Sequence, residues 1–203
     1  MKSNRTYFRS ILLAVFALIA INTFSQYETV QINGQEWMAK NLTVKTFRNG
    51  DPIQEAKTEK EWIKAAQSKQ PAWCYYLNSS SNGDVYGIMY NWFTITDPRE
   101  LAPEGWRIPG DADFAKLMTF YQNDSKLIYA VMANGGKAGL NIPIGGWRGS
   151  KAGDFKDIET YTAVWSVTEK GKWASYFEMN ASFFSAGMRE AGKGAGCYVR
   201  CIK

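Results

Sequence analysis

The chain has 203 residues, 45% of them hydrophobic, 21% charged and 15% aromatic, with 24 Lys+Arg against 19 Asp+Glu. This balance fits one globular domain and excludes low-complexity disorder. The sequence holds no histidine, which removes Ser-His-Asp and Cys-His nucleophilic pairs, His general bases and His-based zinc sites.

Lys2, Arg5 and Arg9 precede an apolar run from Ile11 to Ile21, and Thr23 and Ser25 follow at the spacing that a signal peptidase accepts. Residues 1–25 therefore read as a cleaved secretory signal, with the cut between Ser25 and Gln26. The apolar run is shorter than the roughly 20 residues that span a bilayer. No second hydrophobic span follows, so no transmembrane segment is expected in the mature chain. No Cys stands beside the cut to accept a lipid. Three of the basic residues and none of the acids precede Gln26, so the remainder carries 21 against 19, a net of +2. Charges of both signs alternate, as in Lys57-Thr58-Glu59-Lys60-Glu61, so no basic stripe speaks for nucleic acid.

From Gln26 to Lys203 no repeat or linker interrupts the composition, and a single domain over 26–203 is the simplest partition. Glu28–Ile32 reads as a strand, and Asn33-Gly34, Asn49-Gly50 and Asn82-Gly83 as tight turns or hairpins. Thr58 and Glu61 have capping-box spacing, with Trp62, Ala65 and Ala66 as the apolar stripe behind them. Pro109 and Asp111 open a second helix carrying Phe114, Leu117, Met118 and Tyr121 on one face. Ser125 caps a third, with Ile128, Val131 and Met132, before Asn134-Gly135-Gly136 ends it. Ala163–Thr168, Ala174–Met179 and Tyr198–Ile202 read as strands of an antiparallel sheet. The fold class is α+β, with two or three short helices, an antiparallel sheet and long loops.

In an exported protein the three cysteines, Cys74, Cys197 and Cys201, are candidates for a disulfide. If 197–201 is a strand, its ends lie about 13 Å apart, beyond the reach of a bridge. Cys74 is then expected to bond one of the two and leave the other free.

Seven strings occur in order: Glu36–Leu42 (EWMAKNL), Ala72–Tyr76 (AWCYY), Tyr86–Trp92 (YGIMYNW), Leu101–Pro109 (LAPEGWRIP), Gly145–Arg148 (GGWR), Trp165-Ser166 and Val199–Cys201 (VRC). With them the chain resembles the Fibrobacter succinogenes major paralogous domain family of secreted bacterial proteins, from about Glu36 to Cys201. The resemblance implies a secreted or cell-surface protein with a C-type-lectin-like fold. It also implies a Cys74–Cys201 disulfide, with Cys197, where an aromatic residue is more usual, as the free thiol. Arg107 stands where the family usually has His, so no metal or acid-base role passes to that position.

Two classes of function are open. The first is a non-catalytic binding module for glycan or protein, served by some of the 26 aromatic residues beyond Ser25. Turn signals at Gly145-Gly146 and Gly171-Lys172 bring Trp147 and Trp173 towards the surface, and Arg148 and Tyr176 complete the candidate set. The strings used by calcium-dependent lectins are absent, and no cofactor or metal is expected. The second class is an enzyme. A copper-thiolate oxidase similar to the formylglycine-generating family would use Cys197 and Cys201. Paired carboxylates of a glycosidase would have to come from Asp111/Asp113 or Asp154/Asp157, though negative charge in the first turn of a helix suffices to explain the first pair. A structural subunit of a surface assembly is a third reading. Gly192–Gly196 and Gly145–Arg148 lack the spacing of nucleotide-binding loops.

Overall fold

The structure is a computed structural model that describes residues 27–203. The expected signal segment 1–25 and its cleavage point lie outside the described residues.

Strands β1 (Thr29–Ile32) and β2 (Gln35–Met38) form the hairpin expected at Asn33-Gly34. Both loop residues take positive φ, 49° and 71°, the backbone that joins twisted strands in two residues and that Asn and Gly tolerate best. After β3 (Gln54–Glu55), helix α1 (Glu59–Gln67) opens on the capping box: Thr58 Oγ1 accepts from the Glu61 N–H while the Glu61 carboxylate accepts from the Thr58 N–H. It buries Trp62. Strand β4 (Ala72–Cys74), helix α2 (Ser80–Tyr86), strand β5 (Met89–Tyr90) and the single turn α3 (Trp92–Ile95) follow, with β3, β4 and β5 in one small sheet.

Helix α4 (Asp111–Phe120) buries Phe114 and Leu117, and α5 (Ser125–Met132) buries Ile128 and Met132, the faces read from their spacing. The cap of α5 is one residue earlier than expected. Asp124 accepts from the Lys126 and Leu127 N–H groups, while the Ser125 hydroxyl donates to Ala186 O and accepts from Ala186 N, tying the helix to the sheet. That sheet has the order β10-β9-β8-β6-β7 and comprises β6 (Gly145–Arg148), β7 (Phe155–Ile158), β8 (Tyr161–Lys170), β9 (Trp173–Asn180) and β10 (Ser185–Gly192). Its pairs are antiparallel except β6 with β8.

The fold is α+β, as expected, with five α-helices among the described residues rather than two or three. Helices α2 and α3 escape a reading by periodicity because they are two turns and one turn long. Asn82-Gly83 is thus inside α2 and not a hairpin turn. Gly83 is required there because a Cβ would overlap the Tyr75 ring. No helix among the described residues is long and apolar enough to cross a membrane.

Two apolar cores lie on the two faces of β8 and β9. Val164, Phe177 and Met179 meet Phe114, Leu117, Ile128 and Met132 on the helix side, where Phe114 and Phe177 stack with centroids 5.2 Å apart. Ala163, Trp165 and Ala174 turn to the other side and meet Ile88, Tyr90 and Trp92. The segment Cys197–Ile202 is extended, held by isolated bridges rather than a regular ladder, and it alternates between these cores. Tyr198 and Ile202 enter the first, and Cys197, Val199 and Cys201 enter the second.

That alternation corrects the cysteine assignment. All three cysteines are free thiols, so the Cys74–Cys201 disulfide implied by the resemblance is not formed. Cys74 lies in the first core and Cys197 and Cys201 in the second. The period of two in an extended chain turns both C-terminal thiols away from the side that Cys74 faces.

Candidate functional site: a groove floored by Arg200

A groove of about 950 Å3 is walled by the segment after β2 (Ala39, Lys40, Asn41, Thr43), the end of α2 (Gly83 to Gly87) and the 134–144 loop. Tyr27, Glu28 and Glu159 also border it, and Arg200 forms part of its floor. The volume falls in the range of small-ligand sites.

Arg200 is fully buried, and it holds three walls together. Its Nε and Nη2 both donate to Asn41 Oδ1, at 3.1 and 2.7 Å, and Nη1 donates to Met38 O at 3.3 Å and to Leu140 O. Asn41 in turn donates through Nδ2 to Tyr86 O at 2.8 Å, which brings in the end of α2. Gly87 makes this approach possible. Its φ is +88°, and a Cβ there would stand only 2.8 Å from the Asn41 Cβ. No carboxylate pairs with Arg200 among the described residues. Its charge is met by carbonyl and amide dipoles, which is the condition for keeping a cation inside a protein. Burial pulls the guanidinium down to about 9, so it remains charged at neutral pH.

The rim is polar and bears rings. Tyr27 and Tyr86 are half-buried, and Asn134, Asn141, Asp84 and Glu159 present amides and carboxylates. Asn141 fixes its own loop by accepting from Gly135 N at 3.0 Å and donating to Gly139 O at 3.1 Å. Glu159 N donates to Ile144 O at 3.0 Å, linking the start of β8 to the same loop. Lys40 and Glu28 pair across the mouth at 3.1 Å. The rim thus offers hydroxyl, amide and carboxylate groups on a framework whose floor is rigidly bonded.

The four residues proposed from turn signals do not form one surface. Gly146 pairs with Thr162 at one end of β8, and Trp173 pairs with Lys170 at the other. Eight residues of strand, roughly 26 Å, therefore separate Trp147 from Trp173. Trp147 is half-buried and donates from Nε1 to Asp157 Oδ2 at 2.7 Å. Trp173 is 40% exposed. Tyr176 is half-buried beside Trp165, its hydroxyl 2.8 Å from that of Tyr161, which donates to Glu178. Arg148 is not at the surface at all. Its guanidinium lies between the Trp62 and Phe155 rings and donates to Ala56 O and Gly153 O, each at 2.8 Å.

The residues weighed for catalysis are committed to the scaffold. Asp113 accepts both guanidinium nitrogens of Arg107, at 2.6 and 2.7 Å, and caps Gly110 N. The Arg107 bonds hold its carboxyl below the ordinary range. Asp111 accepts from Ser166 and Ser175 and pairs with Lys170. Burial pushes its carboxyl up, but these donors outweigh it and the net shift is downward. Of the second candidate pair, Asp157 takes the Trp147 indole and Asp154 pairs with Lys156 at 3.3 Å. Burial pushes the Cys201 thiol up to about 12 and raises Cys197 as well. Such shifts oppose the thiolate form that a copper site requires. No group of three or more His, Cys, Asp or Glu residues is arranged to hold a metal among the described residues.

Neither Asn41 nor Arg200 stands out as a site residue in the sequence, although both fall inside strings quoted for the family. The available signal is a single charged residue in the otherwise apolar run Cys197–Ile202, whose burial demands acceptors from elsewhere in the chain.

Comparison with curated proteins and with solved structures finds no match. The family model described as the Fibrobacter succinogenes major domain matches residues 30–203, a span that takes in the groove floor and both cores, and the chain belongs to that family.

Proposed function

We propose that this chain is a non-catalytic binding module acting outside the cytoplasm, secreted or at the cell surface, and that the Arg200 groove receives a neutral, polyhydroxylated ligand such as a glycan. The observation that carries the reading is the groove itself: a bonded floor of Arg200 and Asn41 beneath a rim of Tyr27, Tyr86, Asn134, Asn141, Asp84 and Glu159. Tyrosine rings suit the apolar faces of sugars, and amides and carboxylates suit their hydroxyls. The C-type-lectin-like fold implied by the family resemblance is consistent with this role. The charged, apolar and small-residue order of residues 1–25 supports export.

A glycan array probed with the whole chain tests the reading. Expected is a defined neutral glycan whose capture is weakened by Tyr86→Ala and by Asn134→Ala. An empty array, together with pull-down of one specific protein that Tyr86→Ala releases, would move the groove to a protein-binding role. Glycan signal indifferent to every rim substitution would reject the groove. Export is tested separately by sequencing the amino terminus of secreted material, which should begin at Gln26.

A further inference from the structure

A second pocket, of about 600 Å3, shares no lining residue with the groove. It is built where the end of α1 (Ala66, Gln67, Lys69), the start of α3 (Trp92, Phe93), Ser150, the β8–β9 turn (Lys172) and the Lys193-Gly194 loop converge. The floor is fixed by main-chain and ring bonds: Trp62 Nε1 donates to Gly194 O at 2.8 Å, and Trp92 N donates to Lys193 O at 3.0 Å. A Cβ on Gly194 would overlap the Ala66 side chain, so the loop lies flat against α1.

Three lysines from three separate segments surround this depression. Lys193 pairs with Glu169 and lies 4.8 Å over the Trp92 ring. Lys172 stands 5.5 Å over the Trp173 ring, and neither it nor Lys69 pairs with a carboxylate among the described residues. Trp173 is not itself part of the lining but stands beside it, next in sequence to Lys172 and with its ring near Ser150, since a Cβ on Gly192 would lie 3.8 Å from that ring and 3.0 Å from the Ser150 hydroxyl. Lysines elsewhere on the surface are of both kinds, with Lys40, Lys57 and Lys156 each beside an acid and others such as Lys45 and Lys60 without a carboxylate partner among the described residues; what sets the pocket apart is that three converge on one depression. The pocket therefore combines two lysines that pair with no carboxylate among the described residues with a neighbouring indole, Trp173, that is 40% exposed.

We propose that this pocket is a second binding site, specific for an acidic saccharide, in which a hexuronate ring packs on Trp173 and its carboxylate is met by the pocket lysines. The size is that of a small-ligand site rather than of a track for a polymer backbone. Three lysines around one depression lack the extended basic stripe with which proteins follow nucleic acid. An ammonium supplies a point charge that suits a single carboxylate, and the apolar faces of an indole and a pyranose are complementary. The site differs from the groove in the sign of its surroundings, so neutral and acidic ligands are expected to separate between the two.

Titration of the whole chain with trigalacturonic acid, followed by calorimetry and tryptophan fluorescence, tests this. Expected is saturable binding that weakens at least tenfold in the double variant Lys69→Glu/Lys172→Glu and in Trp173→Ala. Binding should also weaken as salt rises and persist in the groove variant Tyr86→Ala. Maltotriose, the neutral control, should leave the pocket unaffected. These positions are exposed, and an unchanged melting temperature confirms that each variant is folded. Absence of binding by trigalacturonate and by a glucuronate trisaccharide alike would overturn the proposal. So would equal binding of maltotriose at the pocket, affinity untouched by the lysine reversals, or displacement by oligothymidylate at lower concentration than by the uronates.

Discussion

Arg200 and Asn41, 159 residues apart in the chain, are joined by two hydrogen bonds from one guanidinium to a single amide oxygen. The contact closes the floor of the groove and anchors the C-terminal segment to the turn after β2. Replacing Asn41 by Ala removes the acceptor for both donors and the bond to Tyr86 O, leaving a buried cation short of partners. Asn41→Ala is expected to cost about 2–3 kcal/mol, the scale of hydrogen bonds to charged groups, measured by urea denaturation. A loss within experimental error of zero would mean that water takes over the acceptor role.

The reciprocal cap at Thr58 and Glu61 is exposed and independent of both cores. Thr58→Ala is expected to destabilise the protein by about 1 kcal/mol, as other N-cap losses do, and to lower the thermal midpoint without altering ligand capture.

Acid should weaken the start of α4. Asp113 is held below the ordinary carboxylate range chiefly by Arg107, and Asp111 is also lowered. Each group's stabilisation is complete above the unfolded aspartate value of about 4 and is lost as the pH falls from there through the lower folded value. Asp113→Asn should flatten this acid limb of a stability-versus-pH curve. At neutral pH its cost should stay near 1 kcal/mol, because Arg107 is largely exposed to solvent.

The cysteines are expected to behave as three inert thiols. Burial raises all of them, Cys74 and Cys201 to about 12, and reactivity follows the thiolate. A disulfide-exchange reagent should label none in the native protein and three after denaturation. Mobility on a denaturing gel should be the same with and without reductant. A Cys74–Cys201 linked peptide in secreted protein would show that oxidation rearranges the C-terminal segment.

Tryptophans should divide by position. Trp165 is fully buried and donates to Tyr90 O, so Trp165→Ala should cost the ~3–5 kcal/mol of a large core truncation. Trp173→Ala, at the open end of β8 and β9, should cost under about 1 kcal/mol. Trp147→Ala should fall between them, since it loses both half-buried area and the Asp157 bond.

The local grammar of this chain was legible wherever one short segment carried the whole signal. Thr58 and Glu61 mark the start of α1, the spacing of Phe114 and Leu117 or Ile128 and Met132 marks the buried faces of α4 and α5, and Asn33-Gly34 marks a hairpin, because capping, amphipathic period and positive φ are properties of a few consecutive residues. The ordered strings from EWMAKNL to VRC identified the family by the same token. Tertiary structure alone decided what those strings do. Nothing local in Gly-Gly-Trp-Arg places Arg148 between two rings, and nothing in Val-Arg-Cys turns Cys201 away from Cys74, since both outcomes depend on which core each side of an extended segment meets. The groove and the lysine pocket are likewise assembled from segments up to 173 residues apart, with Tyr27 and Arg200 bordering one, and Lys69 and Lys193 the other. Burying a charge or opening a pocket is a property of the packed neighbours, and the identity of those neighbours is a long-range fact that sequence spacing does not carry.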